Sequence, residues 1–365
     1  MSSKNTEKIK ELEEELKKTK YNKRTQHHIG LVKAKIAQLK QKEETRKSAG
    51  KKSEGYSVKK SGDATVIMVG FPSVGKSTLL NALTNAQSKT AAYAFTTLTV
   101  IPGLLEYKQA KIQLLDVPGI VSGAADGSGR GREVLSVIWS ADLVLIILDI
   151  NELHHYDVIK KELSDARIRV DQKKPDVRIR KKSKNGIQIA STVRLNIQKE
   201  TIRAILNQFK IMNAEILIRT PIDEDQLIDV IEGNKKYVPS LIAVNKIDTV
   251  SDELLADIKS RFPNAVFISA EKKINLEKLR ESIFNQLDFI RIYLKQPGKK
   301  PDLDEPMVLF KGNTLTELCL KIHKDFAAKF KFARIWGTSV KYDGQMKTKL
   351  EHVLDDKDIV ELHMR

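Results

Sequence analysis

Cysteine is nearly absent from this sequence, because Cys319 is the only one in 365 residues. A single cysteine excludes an internal disulfide and any metal site that needs several thiolates. The longest clear apolar run covers residues 143–148, whereas a membrane-spanning helix needs about 20 such residues. The N-terminus is charged from Lys4 onward and has no apolar segment typical of a signal peptide. These absences favour a cytoplasmic protein without a membrane partner.

Acidic residues are outnumbered by basic ones, and the net charge is +17. Residues 1–60 contribute +10 of this, from 18 Lys and Arg against 8 Glu. A protein this basic is attracted to polyanions, of which RNA is the commonest in the cytoplasm. Charge alone does not separate an RNA-binding protein from one whose cations are merely solvated.

The basic N-terminal region, residues 1–60, has helical periodicity in two segments. Apolar residues recur at spacings of three and four in 9–16 and again in 29–39, with a polar stretch between them. This pattern predicts two amphipathic helices, arranged as a helical hairpin. Dimerisation, partner binding and RNA contact all stay open for this region.

From Thr65 onward, short apolar runs alternate with helical patterns. Such runs are typical of strands buried on both faces of a mainly parallel sheet, which predicts an α/β domain. They lie at residues 65–69, 112–115, 143–148, 241–244 and 266–268. We assign residues 61–163 and 238–291 to this domain, and residues 164–237 to an insertion within it.

The insertion begins with nine Lys and Arg between Arg167 and Lys184. Lys184-Asn185-Gly186 predicts a hairpin turn between strands at 177–180 and 187–190. The cluster of cations fits an RNA contact, and it fits a solvated hairpin equally well.

The last segment, residues 292–365, predicts a small α+β domain. A strand at 306–310, a helix at 315–326 and a closing strand at 359–362 follow from its pattern. Trp336 could stack on a base, but a core position is favoured for a tryptophan in a small domain.

Residues 70–77 match the phosphate-binding motif G-x-x-x-x-G-K-S in full. They follow a predicted strand and open a predicted helix, which is the context that the motif requires. Backbone N–H groups would cradle the phosphates, Lys76 would reach the β- and γ-phosphates, and the Ser77 hydroxyl would bind Mg²⁺. The predicted nucleotide contacts here are Gly70, Phe71, Pro72, Ser73, Val74, Gly75, Lys76, Ser77 and Thr78.

A D-x-x-G motif, Asp116-Val117-Pro118-Gly119, ends the second predicted strand. Asp116 would hold Mg²⁺, and Gly119 would donate its N–H to the γ-phosphate. Between this motif and the P-loop lies Phe95-Thr96-Thr97-Leu98, in which a threonine can bind Mg²⁺ and sense the γ-phosphate.

An N-K-x-D motif, Asn245-Lys246-Ile247-Asp248, follows the fourth predicted strand. Its aspartate accepts hydrogen bonds from guanine N1–H and the exocyclic amine, which adenine cannot supply in this arrangement. Ser269-Ala270 follows the fifth strand and fits the loop whose backbone contacts the guanine carbonyl. The motifs together predict GTP and GDP as ligands rather than ATP.

These residues resemble the Obg superfamily of P-loop GTPases, through Gly-Phe-Pro-Ser-Val-Gly-Lys-Ser, Phe-Thr-Thr-Leu and Asp-Val-Pro-Gly-Ile. The basic N-terminal helices, the insertion and the last domain more closely resemble the developmentally regulated GTP-binding (DRG) proteins, over essentially the whole chain. The resemblance implies a ribosomal-protein-like α+β insertion and a C-terminal β-grasp domain of the TGS type. It also implies ribosomes or rRNA as partner, a role in translation, and a regulatory partner protein of the kind that serves this family.

Carried over by position, the resemblance makes Thr97 rather than Thr96 the Mg²⁺ ligand, beside Ser77 and Asp116. Lys76, Thr97 and Gly119 become the catalytic set. Ile120 stands where Ras-like GTPases have a catalytic glutamine, so slow hydrolysis is expected. Related enzymes without that glutamine use K⁺, and Ser73 replaces the asparagine that helps to hold it. GTP hydrolysis needs no histidine, so His154 and His155 are expected to be a surface pair.

Three functions are compatible with the sequence. The favoured one is a slow GTPase that acts as a nucleotide-controlled switch on ribosomes, because Ser77, Thr97, Asp116 and Gly119 complete the apparatus that senses the γ-phosphate. The second is an adaptor that holds GTP structurally and binds RNA or a partner protein. The third is a GTPase of ribosome assembly. Ribosome co-sedimentation in GTP, GDP or a non-hydrolysable analogue separates the switch from the adaptor.

Overall fold

The computed structural model describes residues 2–22, 24–48, 62–84, 101–117, 137 and 139–364. The chain divides into two compact units. One comprises Met1–Gly55 and Arg167–Tyr237, and the other comprises Tyr56–Ala166 and Val238–Arg365. The N-terminal region and the insertion therefore share a unit, while the domain boundaries drawn from the sequence stay predictions.

The helices and strands alternate through most of the described chain. In chain order the α-helices are α1 Ser2–Lys18, α2 Gln26–Ser48, α3 Lys76–Leu83, α4 His155–Asp165, α5 Lys199–Gln208, α6 Glu224–Glu232, α7 Asp252–Arg261, α8 Leu276–Gln286, α9 Leu315–Ile322 and α10 Lys324–Lys329. The strands are β1 Ala64–Val69, β2 Ile101–Tyr107, β3 Ala110–Asp116, β4 Leu143–Asp149, β5 Ile168–Val170, β6 Val177–Lys181, β7 Ile187–Ser191, β8 Ala214–Ile218, β9 Lys236–Val238, β10 Ser240–Asn245, β11 Val266–Phe267, β12 Phe289–Leu294, β13 Met307–Phe310, β14 Phe330–Trp336, β15 Gln345–Lys347 and β16 Ile359–Met364.

Helices α1 and α2 form the predicted helical hairpin. Ile9, Val32 and Ile36 are buried between them, as the spacing of apolar residues predicts. Another side of α2 packs on α5 and α6 of the insertion. Gly30 permits this close approach, because a Cβ atom there would lie 2.9 Å from Cγ2 of Thr201.

The insertion is an α+β fold in which α5 and α6 pack on a three-stranded sheet, ordered β6-β8-β7. The predicted hairpin of β6 and β7 is therefore wrong, because β8 lies between them. Strand β8 pairs antiparallel with β6 and parallel with β7. Asn185 and Gly186 do have the positive φ angles of the predicted turn. However, the N–H of Gly186 donates to Oδ1 of Asn213, and its carbonyl oxygen accepts from the N–H of Ala214 at the start of β8. The apolar β8 takes the central position, where both of its edges are paired.

The second unit contains a six-stranded sheet in the order β11-β10-β4-β1-β3-β2. The five strands predicted from apolar runs are all present and pair in parallel, which confirms the mainly parallel α/β sheet. Strand β2, at the edge, is antiparallel to β3 and was not predicted. It contains Pro102 and Gly103, which weaken a strand pattern and are tolerated at an edge.

The same unit contains a five-stranded sheet, ordered β13-β12-β16-β14-β15, with α9 against one face. Ile290, Ile335 and Val360 of the sheet pack on Leu315 and Cys319 of α9. The helix predicted at 315–326 is instead two helices, because the backbone of His323 is extended between them. No helix in the described ranges has the length and apolar content needed to cross a membrane.

Candidate nucleotide-binding site

The P-loop occupies the turn between β1 and α3, as its motif predicts. All six residues of β1 are buried, so the loop leaves the sheet from a rigid strand. Gly75 has a φ of 92°, and a Cβ atom there would lie 2.4 Å from Nδ2 of Asn245. A Cβ atom at Gly70 would lie 2.6 Å from the carbonyl oxygen of Ile147. Both glycines are thus required by close packing, and Gly75 also by its backbone conformation.

The side chain of Lys76 folds back over the P-loop. Its Nζ donates to the carbonyl oxygens of Gly70 at 2.9 Å and Phe71 at 2.8 Å. Burial lowers the pKa of this lysine, and the nearby Asp116 carboxylate opposes that shift. The ammonium group is therefore held at the concave side of the loop, where the motif predicts phosphates.

Ser77 and Asp116 meet beside the P-loop, 39 residues apart in sequence. The Ser77 hydroxyl donates to Oδ2 of Asp116 at 3.0 Å. The other oxygen, Oδ1, is buried and has no hydrogen-bond partner in the part of the chain that the structure describes. A buried carboxylate oxygen without a partner is costly, and oxygen ligands of this kind suit Mg²⁺. The residues present therefore fit the predicted cation.

Several predicted site residues fall outside the described residues, and the structure gives them no position. They are Thr96, Thr97, Pro118, Gly119 and Ile120. Of the others, Val117 is buried, and Pro72 and Thr78 are exposed. Val74 is buried and contributes its backbone.

Asn245 connects the P-loop to the loop that begins at Ser269. Its Nδ2 donates to the carbonyl oxygen of Val74 at 2.8 Å, and its Oδ1 accepts from the N–H of Ala270 at 2.9 Å. Only 3% of its surface is exposed. This asparagine thus holds three separate loops together at the carboxyl edge of the sheet.

Lys246 continues from Asn245 in a left-handed conformation, with a φ of 66°. Its Nζ lies 2.7 Å from Oδ2 of Asp149, at the end of β4. Burial alone would raise the pKa of Asp149, but hydrogen bonds from Lys246 and Asn151 outweigh it and lower the pKa. Asp149 was not among the predicted site residues. Its position at the carboxyl end of a buried strand was the signal that could have found it.

Asp248 ends the motif in a short 3₁₀ helix, Ile247–Thr249. A hydrogen bond with Ser269 and the ammonium of Lys272, 3.4 Å away, lower the pKa of this carboxyl group. The N–H of Ile247 donates to the carbonyl oxygen of Ile268 at 3.2 Å, which joins this helix to the strand end before Ser269. An ionised carboxylate here is an acceptor of the kind that guanine requires.

His155 packs directly on the P-loop and is only partly exposed, so the predicted surface pair is wrong for this histidine, whereas His154 is exposed. Its ring stacks on Phe71, with centroids 3.7 Å apart and planes at 13°. His154 lies against His155 at 4.3 Å. The contact joins α4 to the phosphate-binding loop, and nothing in the local sequence pattern indicates it.

Comparison with known proteins supports the same ligand. Residues 65–182 match the family model described as a 50S ribosome-binding GTPase, and residues 184–289 match the C-terminal region of that domain. Residues 290–364 match the TGS domain.

The similarity to curated relatives extends over almost the whole chain. An uncharacterised GTP-binding protein of Methanocaldococcus jannaschii is 53% identical, over 97% of this chain and 91% of that protein. Developmentally-regulated G-protein 3 of Arabidopsis thaliana and developmentally-regulated GTP-binding protein 2 of Homo sapiens are 46% and 44% identical, with 98% of each chain covered. Among solved structures, the YchF GTPase of Schizosaccharomyces pombe is 16% identical, with 84% of this chain and 99% of that one covered and a TM-score of 0.45.

Proposed function

The chain belongs to the developmentally regulated GTP-binding proteins, and we propose that it is a slow GTPase whose nucleotide state controls its binding to ribosomes. It is a GTP-binding protein of the P-loop GTPase class, with a C-terminal TGS domain.

The observation that carries the switch is Oδ1 of Asp116, beside the Ser77 hydroxyl, which is buried and has no hydrogen-bond partner among the described residues. Ser77, Asp116 and Thr97 would hold Mg²⁺, and Gly119 would donate its N–H to the γ-phosphate. Bound by these residues, Mg²⁺ would supply positive charge that offsets the charge developing on the phosphates. Lys76 adds a second positive charge at the same phosphates. A site that only held GTP for structural reasons would not need this apparatus at the γ-phosphate.

Slow hydrolysis follows from the side chain after the D-x-x-G motif. Ile120 has no group that can orient the attacking water, unlike the glutamine of Ras-like enzymes. We expect an intrinsic rate on the order of 10⁻⁴ to 10⁻³ s⁻¹, as for GTPases without an added arginine. K⁺ should raise this rate if Ser73 and the surrounding carbonyl groups hold the ion.

Ribosomal RNA is the proposed partner, and the basic insertion is its proposed contact. Arg178 and Arg180 alternate with Val177 and Ile179, which pack on the core, so the arginines point away from it. They line one side of a surface cavity of about 490 Å³, together with Gln188, Glu215 and Leu217. The match to a family described as ribosome-binding supports the same partner.

Co-sedimentation with ribosomes tests both parts of the proposal. We expect more protein to sediment with a non-hydrolysable GTP analogue than with GDP. Equal sedimentation in every nucleotide state would contradict the switch and favour the adaptor. No sedimentation in any state would remove the ribosome from the proposal and leave the GTPase.

A charge-reversal pair locates the RNA contact. The test variant combines Arg178→Glu, Arg180→Glu, Lys181→Glu and Lys182→Glu, all exposed. The matched control reverses four exposed cations elsewhere: Lys259→Glu, Arg261→Glu, Lys273→Glu and Lys278→Glu. If each test cation meets a phosphate, the slope of log affinity against log salt should fall by about 3 in the test variant only. GTP affinity should stay the same in both variants, and an equal loss in both would mean that only total charge matters.

A further inference from the structure

The five-stranded sheet of the TGS domain has a second face that its own helices do not cover. Ile290, Ile292, Ala333, Ile335 and Val360 point to α9, so the alternate residues of these strands point the other way. The face they form, here called the aromatic face, consists of Tyr293, Lys295, Phe332, Arg334, Trp336, Met346 and His363. Each of these side chains keeps part of its surface accessible.

The strand register places these side chains in neighbouring rows. Tyr293 and Trp336 flank Ile359 in one row, since both pair with it. In the strand register, Arg334 lies opposite Met346 of β15 on one side and opposite Glu361 of β16 on the other. Four residues along β14, Phe332 pairs with His363, about 13 Å from Trp336 at the usual rise of a strand. The aromatic rings therefore lie in two groups, with a cation between them.

Contacts within the domain hold the aromatic rings of this face in place. Phe332 and His363 stack with centroids 4.2 Å apart and planes at 15°. The Nζ of Lys295 lies 4.7 Å from the Trp336 ring. The turn at Gly344 lies against the indole, because a Cβ atom there would be 3.2 Å from its Nε1. Trp336 is half-buried on an open sheet, so its predicted position in the core is wrong.

The charge that the aromatic face presents is positive. Among its described neighbours, Glu361 is the acidic residue within these rows, and it is only 4% exposed. Its carboxylate accepts hydrogen bonds from Lys295 and from His363, so its negative charge is compensated locally. Arg334 is exposed, and in the described part of the chain it forms no ion pair. An approaching ligand therefore meets aromatic rings and an exposed arginine, because the neighbouring Glu361 is buried and already bonded to Lys295 and His363.

We propose that the aromatic face binds unpaired nucleotides of RNA, with bases stacking on Trp336 and on the Phe332–His363 pair, and with Arg334 contacting a phosphate. Aromatic platforms with interleaved cations are how proteins bind single-stranded nucleic acid without reading its sequence. A protein partner would also use tryptophan and arginine. Nucleic acid is favoured because Glu361, the carboxylate in the described rows of this face, is buried and bonded to Lys295 and His363, and because the whole chain carries a charge of +17. The site is distinct from the basic strand of the insertion, which would contact phosphates of any RNA.

Tryptophan fluorescence of the full-length protein tests the proposal directly. The chain has two tryptophans, so Trp139→Phe leaves Trp336 as the single reporter. The probe is a single-stranded RNA of mixed sequence, about one dozen nucleotides long, compared with a fully paired RNA duplex of the same length. We expect single-stranded RNA to quench Trp336 and the duplex to leave its emission unchanged. The proposal would be overturned if Trp336 is not quenched at concentrations where the fluorescence anisotropy of the labelled single-stranded RNA shows that it is bound.

Two substitutions at the same position separate stacking from packing. Trp336→Leu removes the aromatic ring and should weaken binding of the single strand about tenfold or more, at low and high salt alike. Trp336→Phe keeps a ring and should retain most of the affinity. If Trp336→Leu lowers the melting temperature, the exposed Arg334→Glu takes its place, with the same expected direction. Unchanged affinity in both Trp336→Leu and Arg334→Glu would refute the site.

The outcome is independent of the basic insertion. The variant in which four cations of the insertion are reversed should still show quenching of Trp336 by single-stranded RNA, although its overall affinity for RNA falls. Conversely, Trp336→Leu should leave duplex binding unchanged. Should Trp336→Leu alter no RNA affinity but abolish binding of a purified protein partner, the aromatic face would be a protein interface, and the proposal would be wrong.

Discussion

Asn245 offers the sharpest test of how the nucleotide site is held together. Asn245 belongs to the N-K-x-D motif that predicts guanine binding, and in the structure its side chain bridges two loops within the protein. Its amide satisfies the carbonyl oxygen of Val74 and the N–H of Ala270, both in buried residues. We therefore expect Asn245→Ala to destabilise the protein even when no nucleotide is present.

The size of this effect follows from the two groups that lose their partners. A buried backbone donor or acceptor left without a hydrogen bond costs about 1–3 kcal/mol, so two such groups cost about 2–6 kcal/mol. Relaxation of the loops and entry of water reduce this value, which puts the expected loss near its lower end, about 2–3 kcal/mol.

Urea unfolding without nucleotide, followed by hydrogen exchange, measures this loss. The unfolding midpoint should fall, and the Ala270 amide should exchange at least tenfold faster, as a loss of more than about 1.4 kcal/mol requires. Asn207→Ala, at an exposed position on α5, is the matched control and should change neither quantity. If Asn245→Ala unfolds at the same urea concentration as the wild type, the bridge contributes nothing to the stability of the folded protein.

Three further predictions concern the same site. Asp248→Asn should reduce GTP affinity and increase affinity for xanthine nucleotides, because the acceptor becomes partly a donor; equal competition by ATP and GTP on the wild type would refute guanine selectivity. Asp149 has a lowered pKa when folded, so its stabilisation is present above the unfolded value near 3.9 and is lost as the pH falls through the folded value. Between pH 5 and 2, the free energy of unfolding should therefore fall more steeply with decreasing pH for the wild type than for Asp149→Asn. Identical slopes would show that Lys246 does not stabilise the ionised form of Asp149. Hydrolysis measured in Na⁺ should stay on the order of 10⁻³ s⁻¹ or below, with acceleration in K⁺; a fast rate in Na⁺ alone would reveal a catalytic group other than those proposed.

The parallel sheet and its motifs were predictable because their signals are local. Strand β1 is apolar throughout, since both faces of a central parallel strand are buried. Gly75 and Lys76 then follow within a few residues, and the motif gives their relative positions without knowledge of the rest of the fold. The same holds for Asn245 and Asp248, which follow their strand directly.

The predicted strand pairing was wrong where two segments distant in sequence compete for the same neighbouring strand, as β7 and β8 do for β6. Asn185-Gly186 carries a strong local turn signal, and the turn conformation is present. Which strands pair across it depends on β8, more than twenty residues later, whose apolar residues favour the central position. No local pattern around the turn contains that information.

Trp336 and His155 show the same limit for side chains. The alternation along β14 predicts that Phe332, Arg334 and Trp336 share one face of the sheet. It does not predict which of the two faces a helix covers. His155 begins α4, and its position is decided by how that helix packs on Phe71, 84 residues earlier in the chain.

The sequence by itself determined the ligand class, because phosphate, metal and guanine are recognised by short motifs whose residues are adjacent in the chain. Tertiary structure alone decided how these motifs are joined, since Asn245, Ser77–Asp116 and Lys246–Asp149 are contacts between separate strand ends. It also decided which rings and cations stay accessible on the last sheet. The physical reason is that hydrogen bonding and packing depend on distance in space, and sequence patterns report that distance only over a turn of helix or the length of a strand.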